Sequence, residues 1–363
     1  MKPVLITGAN GYLGSRIARK FALRHRRPVI AWLHASQQEE FERKRTSLMQ
    51  IVGSAAPLVS CRWGDLRARE PFRCVDPAEV GAIVHSAAIT RFNVERDLAE
   101  TVNVAGTEKL LEFAARCSGL EAVGVLSTLY ASGLRAGPVD EIPLDGGHGF
   151  ANFYEWSKWR CEELLLSRFG YLPWRLFRIA TIVSEDEQGR VAAHNALHNT
   201  LKLLYYGLVS LVPGLPRTPL YFVTAEFAAR CVTELMRSSD DHVIYHVSHS
   251  RDESLTLENL IENAWEAFRE SPEFVRRRVL RPVYTDLESF DLLAKSVSGF
   301  SAGVLSQALS SIAPFARQLF VEKTVTNRNL ASMLPCYRAP EPQALLRRTC
   351  VDLVKTRWQV APA

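Results

Sequence analysis

The stretch Val4-Leu5-Ile6-Thr7-Gly8-Ala9-Asn10-Gly11-Tyr12-Leu13-Gly14, followed by apolar residues at Ile17, Ala18, Phe21 and Leu23, constrains this chain more than any other. Its first four residues form a short apolar, partly β-branched run of the kind that fills a buried parallel strand. The later apolar residues recur on helical spacing. Between the two, glycines at 8, 11 and 14 let the backbone turn tightly and come close to a bound group. A helix starting there aims its free N–H groups and positive dipole end at the same spot, which suits a diphosphate. A glycine pattern alone is weak, but one set between a strand and a helix predicts a dinucleotide site. The residues expected to line it are Thr7, Gly8, Asn10, Gly11, Tyr12, Leu13 and Gly14.

Further strand-like runs follow at Val29–Leu33, Leu58–Trp63, Ala82–His85, Ala122–Leu126 and Trp174–Ile179, separated by helical patterns. Strands and helices alternating at this spacing predict an α/β fold with a Rossmann-type, doubly wound parallel sheet. An Asp or Glu after the second strand would bind the ribose 2′-hydroxyl of NAD. Here His34-Ala35-Ser36 stands instead, with Arg43, Lys44 and Arg45 further on. A 2′-phosphate meets no acidic repulsion there, so NADP(H) is expected over NAD(H), although no arginine directly follows the strand. After the third strand, Asp65 and Leu66 are placed to meet the adenine, although a turn aspartate gives the same sequence. Ser86-Ala87-Ala88 is small enough for a cofactor to lie across its backbone. Glu95 to Cys117 reads as one long helix carrying a polar Asn103 among apolar positions, which predicts a backbone or water contact inside the fold. Ser127 and Thr128 fall at the carboxyl end of the fifth strand, the side on which open parallel sheets bind ligands.

In Asn152-Phe153-Tyr154-Glu155-Trp156-Ser157-Lys158 a tyrosine and a lysine stand one helical turn apart on one face. An ammonium near a phenol stabilises the phenolate, so the Tyr154 pKa is expected to fall below about 10. Such a group exchanges protons near neutral pH, as general acid–base chemistry requires. The same spacing also occurs on ordinary surface helices, and the ordered motifs upstream favour the chemical reading.

After Val183 the rhythm changes, which divides the chain into a Rossmann region, 1–183, and a smaller, mostly helical substrate-binding region, 184–363. Segment 220–250 is expected to pack back on the sheet, with Leu220–Val223 and Val243–Ser248 as strands and Ala225–Met236 as a helix. Asn195–Leu211 and Val297–Phe320 are apolar on helical spacing and would suit either a tail-binding channel or core helices. Arg276-Arg277-Arg278 fits a solvated face or a docking patch for coenzyme A phosphates or an acidic carrier. The net charge of +5 suits an anionic cofactor but is too small and dispersed for nucleic acid. Seven scattered cysteines without a Cys-x-x-Cys pair suggest free thiols in a reducing, cytoplasmic setting and no metal site. No secretion signal or membrane-spanning segment is expected.

Taken in order, Thr7-Gly8-Ala9-Asn10-Gly11-Tyr12-Leu13-Gly14, Gly64-Asp65-Leu66, Ser86-Ala87-Ala88, Asn103-Val104-Ala105-Gly106-Thr107, Ser127-Thr128 and Tyr154-x-x-x-Lys158 resemble an extended short-chain dehydrogenase/reductase. Ser127 to Gly133, the Glu162 after Ser157-Lys158, and Phe177 to Val183 resemble the fatty acyl-CoA reductase and thioester reductase branch. Ile179 replaces that branch's usual proline, and His34 stands where many of its members carry arginine. The resemblance implies that Tyr154 donates a proton to a carbonyl oxygen while Thr128 hydrogen-bonds it. It also implies that Lys158 and Tyr154 hold the nicotinamide ribose, that Asn103 supports the site, and that Ile179 borders the cofactor. The implied substrate is a carbonyl or acyl thioester with an apolar tail, on coenzyme A or a carrier protein, and the implied assembly is a homodimer. Two other oxidoreductase readings stay open: a ketone or secondary-alcohol dehydrogenase acting on a lipid, sterol or polyketide, and an NAD-dependent nucleotide-sugar epimerase or dehydratase. A non-catalytic NADP sensor is disfavoured by the intact Thr128, Tyr154 and Lys158.

Overall fold

The computed structural model describes residues 1–298 and 312–359. Seven strands form one parallel sheet: β1 (Val4–Thr7), β2 (Val29–His34), β3 (Val59–Gly64), β4 (Ala82–His85), β5 (Ala122–Thr128), β6 (Trp174–Ile179) and β7 (Val243–Val247). Their spatial order is β7-β6-β5-β4-β1-β2-β3. The winding reverses between β1 and β4, which opens the crevice where doubly wound sheets bind ligands. The Rossmann-type fold expected from the strand–helix rhythm is therefore present.

Successive strand residues face opposite ways, so each strand feeds two cores. Val4 and Ile6 pack on one face with α1 (Tyr12–Arg24) and α2 (Gln38–Val52). Leu5 packs on the other with α3 (Ala105–Ala114) and α4 (Phe153–Arg168). A third cluster joins α5 (Ala196–Tyr206), α6 (Leu257–Arg269) and α7 (Pro342–Lys355) through Leu204, Tyr205, Phe268 and Leu346. The apolar face of α5 is thus core packing rather than the wall of an open channel. The other apolar segment considered for a channel, Val297–Phe320, lies outside the described residues over 299–311. Among the described residues, no helix is long and apolar enough to cross a membrane.

Two details depart from the sequence reading. The helix expected over Glu95–Cys117 is broken by a π-turn at Glu100–Val104, between Arg96–Ala99 and α3. The extra residue rotates Asn103 inward, where its amide pairs with the Ile89 backbone. The strand expected over Leu220–Val223 is two short ladders, Pro219–Leu220 and Phe222–Thr224, running beside different partners. The break falls at Tyr221, whose hydroxyl donates to Lys323 O and accepts from Val325 N.

One buried ion pair ties the sheet to α4. Arg178 of β6 is 0% exposed. Its Nε and Nη2 donate to Glu162 Oε2 at 3.0 and 2.8 Å, Nη2 also donates to Ile142 O, and Nη1 donates to Asp140 O and to His246 Nε2. Every guanidinium N–H has a partner, which is the condition under which a buried charge is tolerated. Glu162 Oε1 in turn accepts from Ser127 Oγ at the end of β5. Arg178→Met should lower unfolding stability by about 3–5 kcal/mol by leaving Glu162 buried and unpaired, and adding Glu162→Met should recover part of that loss. Urea midpoints of the two variants and the parent check both.

Candidate functional site

The glycine loop meets β4 at the crevice. Gly8 has φ +64°, and a Cβ there would lie 2.8 Å from the Ala87 Cα and N. A Cβ at Gly14 would lie 2.3 Å from Gly8 O. Gly11 N donates to Gly8 O at 2.8 Å, closing the turn. α1 starts at Gly11 with no side-chain cap and no acid in its first turn. Its leading N–H groups and dipole end therefore remain available to an anion. Asn10 Oδ1 is buried without a hydrogen-bond partner among the described residues. A cradle shaped by missing Cβ atoms and an uncapped helix N-terminus together fit a dinucleotide diphosphate, and the Asn10 Oδ1 acceptor suits a donor such as a ribose hydroxyl.

The remaining loop residues act differently from one another. The Thr7 hydroxyl accepts from Ala87 N and donates to His85 Nδ1 at 2.7 Å. His85 Nε2 donates to Thr107 Oγ1 at 3.0 Å, and that hydroxyl donates to Asn103 O. Burial and nearby Lys158 push His85 down to about 3, so it stays neutral and passes one consistent hydrogen-bond direction from the glycine loop to the π-turn. Thr7 therefore braces the loop. The Tyr12 ring lies 4.4 Å from the Arg16 guanidinium, and burial raises its phenol pKa. Leu13 packs partly buried against the sheet core.

Ser86, Ala87 and Ala88 are partly exposed where β4 ends beside Gly8. At the far side, His34 is 51% exposed and its Nε2 stands 3.7 Å from Asp65 Oδ2. Arg67 holds the Asp65 carboxylate with Nε and Nη2 at 2.6–3.1 Å and with its backbone N at 2.8 Å, which lowers Asp65 to about 2. Lys44 donates to His34 O at 2.8 Å. Lys44 also pairs with Glu40, whose carboxylate accepts from Ser36 N, so the cations after β2 and β3 are each matched by an acid. Leu66 is buried against Gly106.

At the carboxyl end of β5, the Thr128 hydroxyl accepts from Tyr130 N at 3.3 Å and lies near enough to the Tyr154 phenol to favour its ionisation. Lys158 is buried and its Nζ donates to Leu126 O at 2.9 Å, one turn along α4 from Tyr154. Asn103 Nδ2 donates to Ser157 Oγ at 2.9 Å, joining the π-turn to the residue before Lys158. Ile179 pairs with Thr128 across β5 and β6 and lies in the core. The expected fall in the Tyr154 pKa is not found. Burial pushes it up, outweighing the nearby Thr128 hydroxyl, and burial likewise lowers Lys158. The phenol therefore keeps its proton at neutral pH.

Several residues of this region had no signal in the sequence. Phe92 and Phe315 stack at 5.2 Å, Phe92 meets the Tyr154 ring edge-on at 5.6 Å, and Phe315 meets Tyr130 at 5.2 Å. Glu155, beside Tyr154, is 0% exposed. It accepts from Ala151 N at 2.9 Å, Asn152 Nδ2 at 3.0 Å and Gln318 Nε2 at 2.9 Å. Burial raises it to about 7. The weak pattern after Pro272 concealed Phe315 and Gln318.

The comparisons agree with this geometry. Residues 6–232 match the NAD-binding family described as Male sterility protein. The chain belongs to this family. It is an NAD(P)-dependent oxidoreductase of the extended short-chain dehydrogenase/reductase type. Relatives of this chain include Fatty acyl-CoA reductase 2, chloroplastic, of Arabidopsis thaliana, 38% identical over 82 residues, which are 22% of this chain and 13% of that protein. D-erythronate dehydrogenase of Cupriavidus necator is 27% identical over 235 residues, 62% of this chain and 69% of that protein. The terminal R domain from the myxalamid PKS-NRPS biosynthetic pathway shares the fold at TM-score 0.80 and 17% identity, over 100% of this chain and 93% of that one.

Two outcomes follow for the site. Gly14→Ala should weaken binding of the reduced nicotinamide cofactor at least tenfold, about 1.4 kcal/mol, because the new methyl meets Gly8 O; fluorescence titration with NADH and NADPH checks it. Glu155 binds a proton more tightly folded than unfolded, so stability should fall as pH rises from its ordinary 4.5 through about 7. Glu155→Gln should flatten that fall, which amounts to about 3 kcal/mol; urea unfolding at pH 5 and 7.5 measures it.

Proposed function

We propose that the chain is an NADPH-dependent reductase of an acyl thioester, or of the aldehyde derived from it, carried on coenzyme A or a carrier protein. The observation that carries this reading is the Tyr154 phenol beside the Thr128 hydroxyl, with buried Lys158 one helical turn away, at the carboxyl end of β5. The whole-chain likeness to an R domain and the local identity to a fatty acyl-CoA reductase fit a thioester carbonyl. The choice of NADPH rests on the absence of an acid at residues 35–38, directly after β2, and on the nearness of Lys44 and Arg67, whose present partners Glu40 and Asp65 a 2′-phosphate would have to displace. Seven free cysteines suit a reducing compartment such as the cytoplasm.

The nicotinamide, when bound, supplies a hydride to the carbonyl carbon. The diphosphate would rest on residues 8–14 and the start of α1, the adenosine near His34 and Asp65, and the nicotinamide ribose at Tyr154 and Lys158. Tyr154, kept neutral by burial, donates its proton to the carbonyl oxygen as negative charge develops there. Thr128 donates a second hydrogen bond to the same oxygen. Lys158, held by Leu126 O, offsets the charge left on Tyr154. With a thioester, the hemithioacetal so formed releases the thiol and leaves an aldehyde. Asn103 steadies α4 through Ser157.

Tyr154→Phe should lower kcat by about 10²–10⁴ while NADPH binding persists. Loss of nicotinamide absorbance with a panel of acyl-CoA thioesters and aldehydes measures it, and full turnover by Tyr154→Phe would refute the assignment.

A further inference from the structure

The segment that seats Phe315 on Tyr130 also lines a small cavity near the proposed reaction centre. Its lining includes Tyr130, Thr181, Tyr221, Phe315, Gln318 and Lys323. Tyr130 follows Thr128 by two residues, and its ring lies 6.2 Å from Phe92, which in turn meets Tyr154. The cavity is therefore one aromatic layer away from the catalytic hydroxyls.

Most of this lining is apolar, so the two long polar side chains need a reason to be there. Gln318 is 3% exposed and Lys323 5%. They converge on one carbonyl, Gly133 O, to which Gln318 Nε2 donates at 3.0 Å and Lys323 Nζ also donates. Gly133 has φ +58°, and a Cβ there would lie 2.0 Å from Gly149 O, so this carbonyl is held by a backbone that only glycine permits.

The Gln318 amide has one orientation. Nε2 donates to two acceptors, Gly133 O and Glu155 Oε2, so exchanging its nitrogen and oxygen would set oxygen against oxygen. Its Oε1 is consequently turned from both, and it is buried with no hydrogen-bond partner among the described residues. A buried amide oxygen without a donor costs about 1–3 kcal/mol, so something is expected to satisfy it. Lys323 carries three N–H donors, of which Gly133 O and Arg135 O take two. An orphaned acceptor and a spare donor thus belong to side chains that share one anchor. The cavity leaves about 20 Å³ of room, above the ~10–15 Å³ that a water-sized group needs.

We infer that Gln318 and Lys323 form a polar subsite that recognises a hydroxyl on the acyl chain of the substrate. A hydroxyl donates one hydrogen bond, to Gln318 Oε1, and accepts another, from Lys323 Nζ. A methylene in the same place satisfies neither. This rests on the acyl reductase reading above and refines it: the substrate is a hydroxyacyl group, not a plain hydrocarbon chain. An ordered water held permanently by the same two groups is the rival occupant, and it makes the site indifferent to the substrate's hydroxyl.

The test pairs a non-reacting ligand with turnover. Hexanamide and its 2-, 3- and 4-hydroxy derivatives are titrated by calorimetry into full-length protein saturated with NADP⁺, and the matching coenzyme A thioesters are assayed with NADPH. One hydroxy isomer should bind about tenfold more tightly than hexanamide, and its thioester should show a similar gain in kcat/KM. Gln318→Met and Lys323→Met should each bring that isomer down to the hexanamide level. Either variant alone decides the point if the other fails to fold. Equal binding of all four amides by the parent protein overturns the subsite, as does hydroxyl discrimination that survives in both variants. Hydroxyl-dependent binding lost in the variants, with no thioester turned over, keeps the subsite and removes the reductase reading. Turnover without discrimination does the reverse.

Discussion

The fully paired guanidinium of Arg178 is the interaction on which the active end of this fold depends. It sits in β6, yet its partners lie on α4, on the loop after Val139 and on β7. Through Glu162 it reaches Ser127, the neighbour of Thr128, so it fixes how the strand carrying Thr128 faces the helix carrying Tyr154. His246 extends the network. Accepting from Arg178, it must carry its proton on Nδ1, which donates to Thr326 O at 2.7 Å. A charge placed this deep is costly unless each donor is met, and that demand orders all the surrounding backbone.

Burial also decides the electrostatics of Tyr154 and Lys158. A neighbouring ammonium favours the phenolate and a low dielectric disfavours it, and at Tyr154 the second effect prevails. The result suits a proton donor better than a base, because the phenol remains loaded until charge forms on the oxygen it faces. The aromatic lid of Phe92 and Phe315 contributes to this by keeping water from the ring. Glu155 shows the same rule with the opposite consequence, since its burial moves a carboxyl into the range where it titrates.

The nucleotide half was legible because its chemistry is local. A glycine loop between a strand and a helix, small residues after β4 and hydroxyls after β5 are each read over a few residues, and the winding follows from their rhythm. Residues whose role arises from distant contacts were not legible. Nothing local in the sequence marks Glu155, which Gln318, 163 positions later, closes over. The π-turn around Asn103 was hidden because one extra residue in a helix hardly disturbs apolar spacing. The sign of the Tyr154 shift was missed for a related reason: neighbours along a helix are visible in a sequence, whereas the depth of burial is not. The apolar run in α5 was ambiguous between channel and core, and packing against α6 and α7 resolved it.

The short parallel ladder of Gly137–Val139 with Lys323–Val325 joins the loop after β5 to a segment almost two hundred residues away. This pairing makes the chain a clasp rather than two modules in series. Exchanging the C-terminal segment between relatives, to alter what they accept, would transplant one edge of a ladder and one half of a hydrogen-bonded cluster. Such a graft would work only if Gly133, Glu155 and the 137–139 strand travelled with it, so recombination breakpoints compatible with folding fall outside that set rather than at the end of the dinucleotide-binding region.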